Sequence, residues 1–199
     1  MSFIYQARDL NRIPNAFFIS GADNLKESHE STAIFSYSSQ PNTWASARSA
    51  INGQVGGKIF IQNRFDPPNY TIARTGIQFE TTWGVVPVGM VISIPIDLSN
   101  NLPFKIRAFK GTTSALTGVS SEYSIPLNQG LVPFSEELEV TEYSVVLYFN
   151  QTAIDAFLAN PNQNVFILGE YDYNNIEPTE TYFISNSDSG AVVELTGQT

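Results

Sequence analysis

The chain contains no cysteine and a single histidine among its 199 residues. The absence of cysteine excludes disulfides, thiolate metal sites and cysteine nucleophiles together, so the fold is indifferent to the redox state of its compartment. The one histidine, His29, lies in a polar segment without a second histidine or a nucleophile elbow beside it. We therefore expect no catalytic role for His29 and no enzymatic activity of the serine-hydrolase kind.

Charge is also scarce. Charged residues make up 15% of the chain, against about 25% in ordinary soluble domains, and Asn, Ser, Thr, Gly and Pro occupy the remaining polar positions. This composition favours strands and turns over helices. The formal net charge of -9 opposes a phosphate backbone, so we expect no nucleic-acid partner.

Lysine and arginine are absent after Lys110. All ten cations lie at or before Lys110 together with seven of the nineteen acidic residues, and the other twelve acidic residues follow it. Any ion pairs of the second half must therefore reach back to the first half or to another molecule. A solvated acidic surface, a bound divalent cation and a basic neighbour in an assembly all fit this pattern.

No long apolar run is present either. The longest low-charge apolar stretch, 85–96, is interrupted by Pro87, Gly89 and Pro95, and it is shorter than the about 20 residues that a membrane helix needs. The first ten residues have neither a basic n-region followed by an apolar h-region nor an Arg-rich amphipathic pattern. We expect no signal peptide and no membrane partner.

Short runs of β-branched and aromatic residues, separated by Gly, Pro, Asn and Ser clusters, dominate the chain. They predict nine strands: 32–37, 58–63, 70–80, 88–96, 104–109, 139–149, 164–171, 181–184 and 191–195. We interpret 32–199 as one all-β domain, an antiparallel, jelly-roll-like β-sandwich. Arg74 in the third run is either buried against an acid or exposed at an interface.

One short helix is predicted over 150–161. Thr152 as N-cap with Asp155 three residues later resembles a capping box, and Asn160-Pro161 ends the pattern. Its apolar stripe consists of Ala153, Ile154, Phe157 and Leu158. We expect this helix to close one end of the sandwich.

Residues 1–31 show no clear period. Ile13 and the stretch 17–19 are nevertheless too apolar for a free tail. We predict that 1–31 form an irregular N-terminal arm or docking segment.

The densest group of oxygen ligands follows the strand at 164–171. Carboxylate and carboxamide oxygens suit calcium, which takes six to eight of them. The candidate calcium ligands are Glu170, Asp172, Asn174 and Glu177. No other cofactor is expected, and an ordinary hydrogen-bonded turn is the alternative, because Asn, Asp and Pro are also turn formers.

Aromatic rings on predicted loops could stack on the faces of sugar rings while neighbouring carboxylates bind hydroxyls. The candidate glycan-binding residues are Trp44, Tyr171, Asp172 and Tyr173. Because aromatic residues are abundant throughout the chain, rings at loop ends are also expected without any ligand.

The stretch 70–92 resembles the signature of DNRLRE-type, carbohydrate-binding-module-like β-sandwich domains, in which an Arg-ending strand leads into an apolar segment. The matching positions are Phe79, Thr81, Pro87, Gly89 and Ile92, with Glu80 at the usual Asp. Residues 146–157 and 165–178 resemble the family's strand-Asn-helix step and its next strand and loop. The resemblance spans 31–195 and implies a non-catalytic module for adhesion or architecture, as in surface modules and phage structural proteins.

Together these features predict a non-enzymatic structural protein of a phage virion: a capsid decoration, head-fibre or tail-associated component. We expect it to be assembled in the host cytoplasm and located in the virion. Its expected partners are other virion proteins and further copies of itself in a homo-oligomer or multi-copy assembly. The alternative is a carbohydrate-binding module that recognises a cell-surface glycan. A polysaccharide-degrading enzyme with an unrecognised carboxylate pair is the third interpretation.

Overall fold

The computed structural model describes residues 26–66, 68–100, 102–141, 144–186, 188 and 191–198. The strands in these ranges are β1 Lys26–Ser39, β2 Gln54–Gly56, β3 Ile59–Asp66, β4 Asn69–Phe79, β5 Gly89–Pro95, β6 Leu98–Asn100, β7 Phe104–Lys110, β8 Leu138–Val140, β9 Ser144–Tyr148, β10 Asn164–Gly169, β11 Tyr182–Asn186 and β12 Glu194–Gln198. The helices are α1 Trp44–Ser49, α2 Ile125–Asn128, α3 Gln151–Ala159 and α4 Glu170–Tyr173, with a 3₁₀ turn at Ser120–Ser124. The predicted all-β, sandwich-like fold is confirmed.

Each of the nine predicted strand segments contains a strand, but the boundaries differ in places. β1 begins at Lys26, so the last six residues of the predicted arm belong to a strand; residues 1–25 lie outside the described ranges. The strand predicted over 164–171 ends at Gly169, where α4 begins. The run at 139–149 contains two strands, β8 and β9, rather than one.

The predicted helix is present as α3, and α1, α2 and α4 accompany it. Its N-cap is Asn150 rather than Thr152: the Asn150 side-chain oxygen accepts a hydrogen bond from the Ala153 backbone N–H at 3.1 Å. Asn150 is also held by its neighbours, because its Nδ2 donates to the Pro133 carbonyl at 2.9 Å. A contact with Pro133 thus fixes Asn150 as the N-cap. The residues around the start of the helix do not reveal this contact.

Two antiparallel sheets make up the sandwich. The first sheet has the order β1, β12, β5, β9. The second sheet has β4 near its centre, with β1 along one edge and β3 followed by β10 along the other. It continues through β10 to β7 and β8, through β3 to β11 and β6, and through β1 to β2.

The two sheets are joined by hydrogen bonds at both of their edges. At one edge β1 belongs to both sheets, because it pairs with β12 through Lys26–Glu30 and with β4 from Ser31 onward, with a register shift between Ser31 and Ala33. At the other edge the Phe134 N–H donates to Ala108 of β7, and the Phe134 carbonyl accepts from Asn150 after β9, both at 2.8 Å. The hydrogen-bonded circuit around the sandwich is therefore continuous.

Two apolar cores lie on opposite faces of the second sheet. The first core fills the space between the sheets and includes Phe79, Leu147 and Phe157, so α3 packs into it. Leu158, the last residue of the predicted apolar stripe, is instead 39% exposed. The second core lies on the outer face, under α1, the 3₁₀ turn and α4, and includes Trp44, Ile72 and Phe166. Strands covered on both faces have no solvent-facing side, which explains why β4 is buried without alternation from Thr71 to Phe79.

None of the helices in the described ranges combines the length and the apolar character needed to cross a membrane.

The position of the α3 cap gives a direct test. We expect Asn150→Ala to lower the free energy of unfolding by about 1–2 kcal/mol, because it removes both the cap and the bond to Pro133. Thr152→Ala, at an exposed position, should change it by less than about 0.5 kcal/mol. Urea unfolding of both variants measures the difference, and a larger loss in Thr152→Ala would restore the predicted capping box.

Candidate functional site

A buried cluster of polar side chains is centred on Arg74, in the middle of β4. Arg74 lies opposite Tyr37 of β1 in the ladder. On its other edge β4 pairs with β3 up to Ala73 and with β10 from Thr75, so Arg74 stands where the neighbouring strand changes. Its side chain points into the second core and is fully buried. Of the two alternatives for Arg74, the buried one is correct.

Asp172 of α4 neutralises the buried guanidinium. Arg74 Nε donates to Asp172 Oδ2 at 2.6 Å, and Nη2 donates to Oδ1 at 2.9 Å. Both side chains have an exposure of 0%. Bidentate geometry is required here, since several kcal/mol of desolvation per ion must be offset by contacts within the pair and around it.

The remaining contacts of the guanidinium are made with backbone carbonyls and an aromatic ring. Arg74 Nη1 donates to the Tyr123 carbonyl at 2.7 Å, and Nη2 donates to the Arg48 carbonyl at 3.0 Å. The Arg74 Cζ atom lies 4.1 Å from the centroid of the Tyr123 ring, which is the geometry of a cation–π contact. Arg74 therefore binds to α1, the 3₁₀ turn and α4 at once.

Arg48 and Tyr123 complete the cluster. Arg48 Nε donates to the Asp172 carbonyl at 2.7 Å and lies 3.8 Å from Asp172 Oδ1. The Tyr123 hydroxyl donates to the Ala47 carbonyl at 2.6 Å. We call Arg48, Arg74, Tyr123 and Asp172 the arginine cluster. Its members tie the three helical segments above the second sheet to one another and to β4.

A second buried carboxylate, Glu122, organises the loop before the 3₁₀ turn. The Tyr37 hydroxyl donates to Glu122 Oε2 at 2.5 Å. The backbone N–H groups of Thr117, Gly118 and Val119 donate to the same carboxylate at 2.8, 3.0 and 3.2 Å. Gly118 has a φ of +70°, a left-handed conformation that favours glycine. The loop thus closes around the carboxylate and places it against β1.

The pKa values follow from these contacts. Burial lowers the pKa of Arg74, but the Asp172 carboxylate beside it outweighs burial and holds that pKa above its ordinary value. Burial raises the pKa of Glu122, but the hydrogen bonds from Tyr37 and from the Thr117 backbone outweigh it and hold the Glu122 pKa below its usual value. Burial, with Glu122 alongside, raises the pKa of Tyr37. Arg74 and Glu122 are therefore charged, and Tyr37 is neutral, at pH 7.

Cations of the first half do meet carboxylates of the second half. The ion pairs that join the two halves are Arg48–Asp172, Arg74–Asp172, Lys105–Glu137 at 2.8 Å and Arg107–Glu136 at 3.7 Å. Cations of the first half and carboxylates of the second half thus form long-range ion pairs within one chain.

The four candidate calcium ligands have separate partners. Glu170 Oε1 accepts from the Lys105 backbone N–H at 3.2 Å, and Glu177 Oε1 accepts from the Tyr70 hydroxyl at 2.5 Å. Asp172 is in the arginine cluster, and Asn174 closes α4 with its backbone N–H. Within the described ranges no three acidic or histidine side chains are grouped so that they could hold a metal ion.

The four candidate glycan-binding residues are buried or packed against other side chains of the chain. Trp44 is only 6% exposed, in the second core near Tyr70, and Asp172 is fully buried. Tyr171 is half-buried and stacks on Tyr182 with ring centroids 4.7 Å apart. Tyr173 packs against Phe109 and donates its hydroxyl to Glu137 at 2.6 Å. These residues lie on short helices that cover the second sheet, rather than on open loops.

Sequence reasoning missed the roles of Tyr37, Glu122 and Tyr123. Arg74 was the one available signal, because a cation inside a run of buried-strand residues needs an anion close by. The anion itself could not be identified, since Asp172 is 98 residues away along the chain.

A scan against protein-family models and a search of curated proteins found no match to the chain. The resemblance to DNRLRE-type domains therefore stays a prediction that depends on the motifs quoted above.

The contacts of the arginine cluster stabilise the fold. Both oxygens of Asp172 and the nitrogens Nε, Nη1 and Nη2 of Arg74 are engaged in the contacts given above. A buried group whose donors and acceptors are already satisfied stabilises one arrangement of its neighbours. The arginine cluster thus holds the helical segments in place on the second sheet.

Removing the buried Arg74 cation should destabilise the folded state strongly. We expect Arg74→Met to lower the free energy of unfolding by about 3–5 kcal/mol, because it leaves the Asp172 carboxylate buried without its partner. Replacing both partners, Arg74→Met with Asp172→Leu, should recover part of this loss. Glu136→Gln, at a side chain that is 78% exposed, is the matched surface control and should cost under about 0.5 kcal/mol. Urea unfolding measures all three, and a small loss in Arg74→Met alone would refute the role of the arginine cluster.

The ionisation of Glu122 should make the free energy of unfolding depend on pH. A carboxyl whose folded pKa is lowered contributes stability above its ordinary pKa of about 4.3, and this contribution disappears as the pH falls through the lower folded value. We therefore expect the stability difference between wild type and Glu122→Gln to be largest at pH 6–7 and to shrink below about pH 4. Tyr37→Phe keeps the carboxylate, removes one donor and should move the loss to higher pH. A constant difference from pH 7 to pH 3 would contradict this assignment.

Proposed function

We propose that the chain is a non-enzymatic structural protein that acts through protein–protein contacts, as a capsid decoration, head-fibre or tail-associated component of a phage virion. The observation that carries this proposal is the arginine cluster. Arg74 and Asp172 are charged, fully buried and bound to each other, and Arg74 also donates to backbone carbonyls. A buried ion pair that is satisfied within the chain supports a rigid scaffold that binds its partners through its surface.

The exposed apolar side chains support contacts with other proteins. Val85, Val86 and Val88 are 47%, 65% and 67% exposed on the β4–β5 connection. Ile51 and Val119 are also exposed, on two segments joined by the hydrogen bond from the Gly53 N–H to the Ser120 carbonyl. Exposed apolar groups that are close together are typical of interaction surfaces.

The distribution of charge supports a basic partner. The chain has a net charge of -9, and internal ion pairs engage Arg48, Arg74, Lys105 and Arg107. Carboxylates therefore remain in excess, and such a surface favours association with a positively charged neighbour. This is the behaviour expected of a subunit in a multi-protein assembly.

Mass spectrometry of gradient-purified phage particles from the source culture tests the proposal. We expect the chain to co-purify at a fixed ratio that matches a capsid, portal or tail symmetry. Recovery of the chain free in the lysate or in the host envelope would overturn the proposal and favour the glycan-binding alternative.

Two N-terminal deletions test the docking role of the predicted arm. Deletion of 1–25 leaves β1 complete, whereas deletion of 1–31 removes Lys26–Glu30 and with it the ladder to β12. We expect the 1–25 deletion to keep the wild-type melting temperature but to be absent from particles, since the docking segment is lost. The 1–31 deletion should be destabilised, because it opens one joined edge of the two sheets. Normal incorporation of the 1–25 deletion would refute a docking role for the arm.

A further inference from the structure

The dipeptide Asn52-Gly53 lies on the connection between α1 and β2, directly after the exposed Ile51. It is the one Asn-Gly pair in the sequence. Asn52 is exposed, and Gly53 has no side chain that would obstruct the approach of its backbone nitrogen to the Asn52 carboxamide. Because the two groups belong to adjacent residues, the pair favours an intramolecular attack that leads to deamidation.

Deamidation of this pair consumes one water molecule and releases one ammonia. The Gly53 nitrogen gives up its proton to solvent and forms a bond to Asn52 Cγ, and the bond from Cγ to Nδ2 breaks. The departing nitrogen takes up a proton from solvent and leaves as ammonia, so that a succinimide ring remains. Water opens the ring at Cγ to give aspartate, or at the backbone carbonyl carbon to give isoaspartate. No oxidant or reductant takes part.

The fold engages both reacting groups with the 3₁₀ turn at Ser120–Ser124. The Gly53 N–H donates to the Ser120 carbonyl at 2.9 Å, and the Ser120 hydroxyl donates to Asn52 Oδ1 at 3.4 Å. An N–H that donates to a carbonyl keeps its proton, so the Gly53 nitrogen is not a nucleophile while this bond lasts. Deamidation therefore requires the connection to separate from the turn.

The arginine cluster stabilises the same contact. A Cβ at Gly53 would lie 2.9 Å from Tyr123 Cδ2, so the backbone at Gly53 packs directly against the Tyr123 ring. The Tyr123 hydroxyl donates to the Ala47 carbonyl of α1 at 2.6 Å. Arg74 binds the backbone carbonyls of both Arg48 and Tyr123. Separation of the connection from the turn is thus coupled to the contacts that hold α1.

We propose that Asn52 is a deamidation site that the contact with the 3₁₀ turn protects. Its conversion then marks molecules in which the connection between α1 and β2 has separated from the turn. Aspartate adds a carboxylate beside Ile51, and isoaspartate also adds a backbone methylene directly before the tightly packed Gly53. The inference goes beyond the proposed function and does not depend on it.

Peptide mass spectrometry of the full chain, incubated in mildly alkaline buffer, tests the proposal. Trypsin releases residues 49–58 as one peptide, because Arg48 and Lys58 bound it, and Asn52 is its one asparagine. The peptide mass and labelling by isoaspartate methyltransferase measure the conversion. We expect the folded protein to convert at least about tenfold more slowly than the same chain in urea, the factor that a contact of 1.4 kcal/mol gives.

A conservative variant tests whether the contact with the turn provides the protection. Tyr123→Phe keeps the ring and removes the hydrogen bond to Ala47. It should speed conversion in the folded protein by about fivefold, the factor that a hydrogen bond of about 1 kcal/mol gives, and leave the rate in urea unchanged. Tyr148→Phe, the same change at a 46% exposed ring on the first sheet, is the matched control and should alter neither rate.

Three results would overturn the proposal. Equal rates in the folded protein and in urea would show that the fold does not protect Asn52. Full conversion in urea without detectable conversion in the folded protein would show that the native protein has no deamidation site at this position. A wild-type rate in folded Tyr123→Phe would show that the protection does not come from the contact with the 3₁₀ turn.

Discussion

The buried ion pair between Arg74 and Asp172 is the interaction on which the helical side of the structure depends. A lone guanidinium at this depth would be prohibitively costly, so its burial requires a carboxylate in bidentate contact and carbonyls around it. These partners come from α1, the 3₁₀ turn and α4. The three segments are short and have little stability of their own, since a helix of four to six residues is not stable alone. They are ordered because the arginine cluster and the second core hold them.

The second sheet is covered by an apolar core on each of its faces. β4 lies between two apolar cores and has no solvent-facing side from Thr71 to Phe79. The sheets are joined at both edges, through β1 and through Phe134. Val85, Val86 and Val88, on the connection between β4 and β5, are among the most exposed apolar side chains of the described ranges. The same connection is bound to the start of β1, because its Gly84 N–H donates a hydrogen bond to the Glu27 carboxylate.

The sequence predicted the elements of the fold better than their packing. Strands were readable because β-branched and aromatic runs end at Gly, Pro and Asn, and α3 was readable from its apolar stripe. The cap was misplaced by two residues because Asn and Thr are both good N-caps, and the bond from Asn150 to Pro133 decided between them. Trp44 and Asp172 were predicted on loops, since nothing local shows that their segments form short helices that pack on the second sheet.

Composition and local pattern thus determined the class of the protein: a cysteine-free, all-β chain whose second half has carboxylates but no cations. They also determined that Arg74 needs an anion if it is buried. Only the tertiary structure decided which anion, because Asp172 is 98 residues away and strand pairing, not sequence spacing, brings the two side chains together. The same holds for the joined sheet edges and for the hydrogen bond from Gly84 to Glu27. Local preferences act over a few residues, whereas pairing and burial are properties of the whole chain.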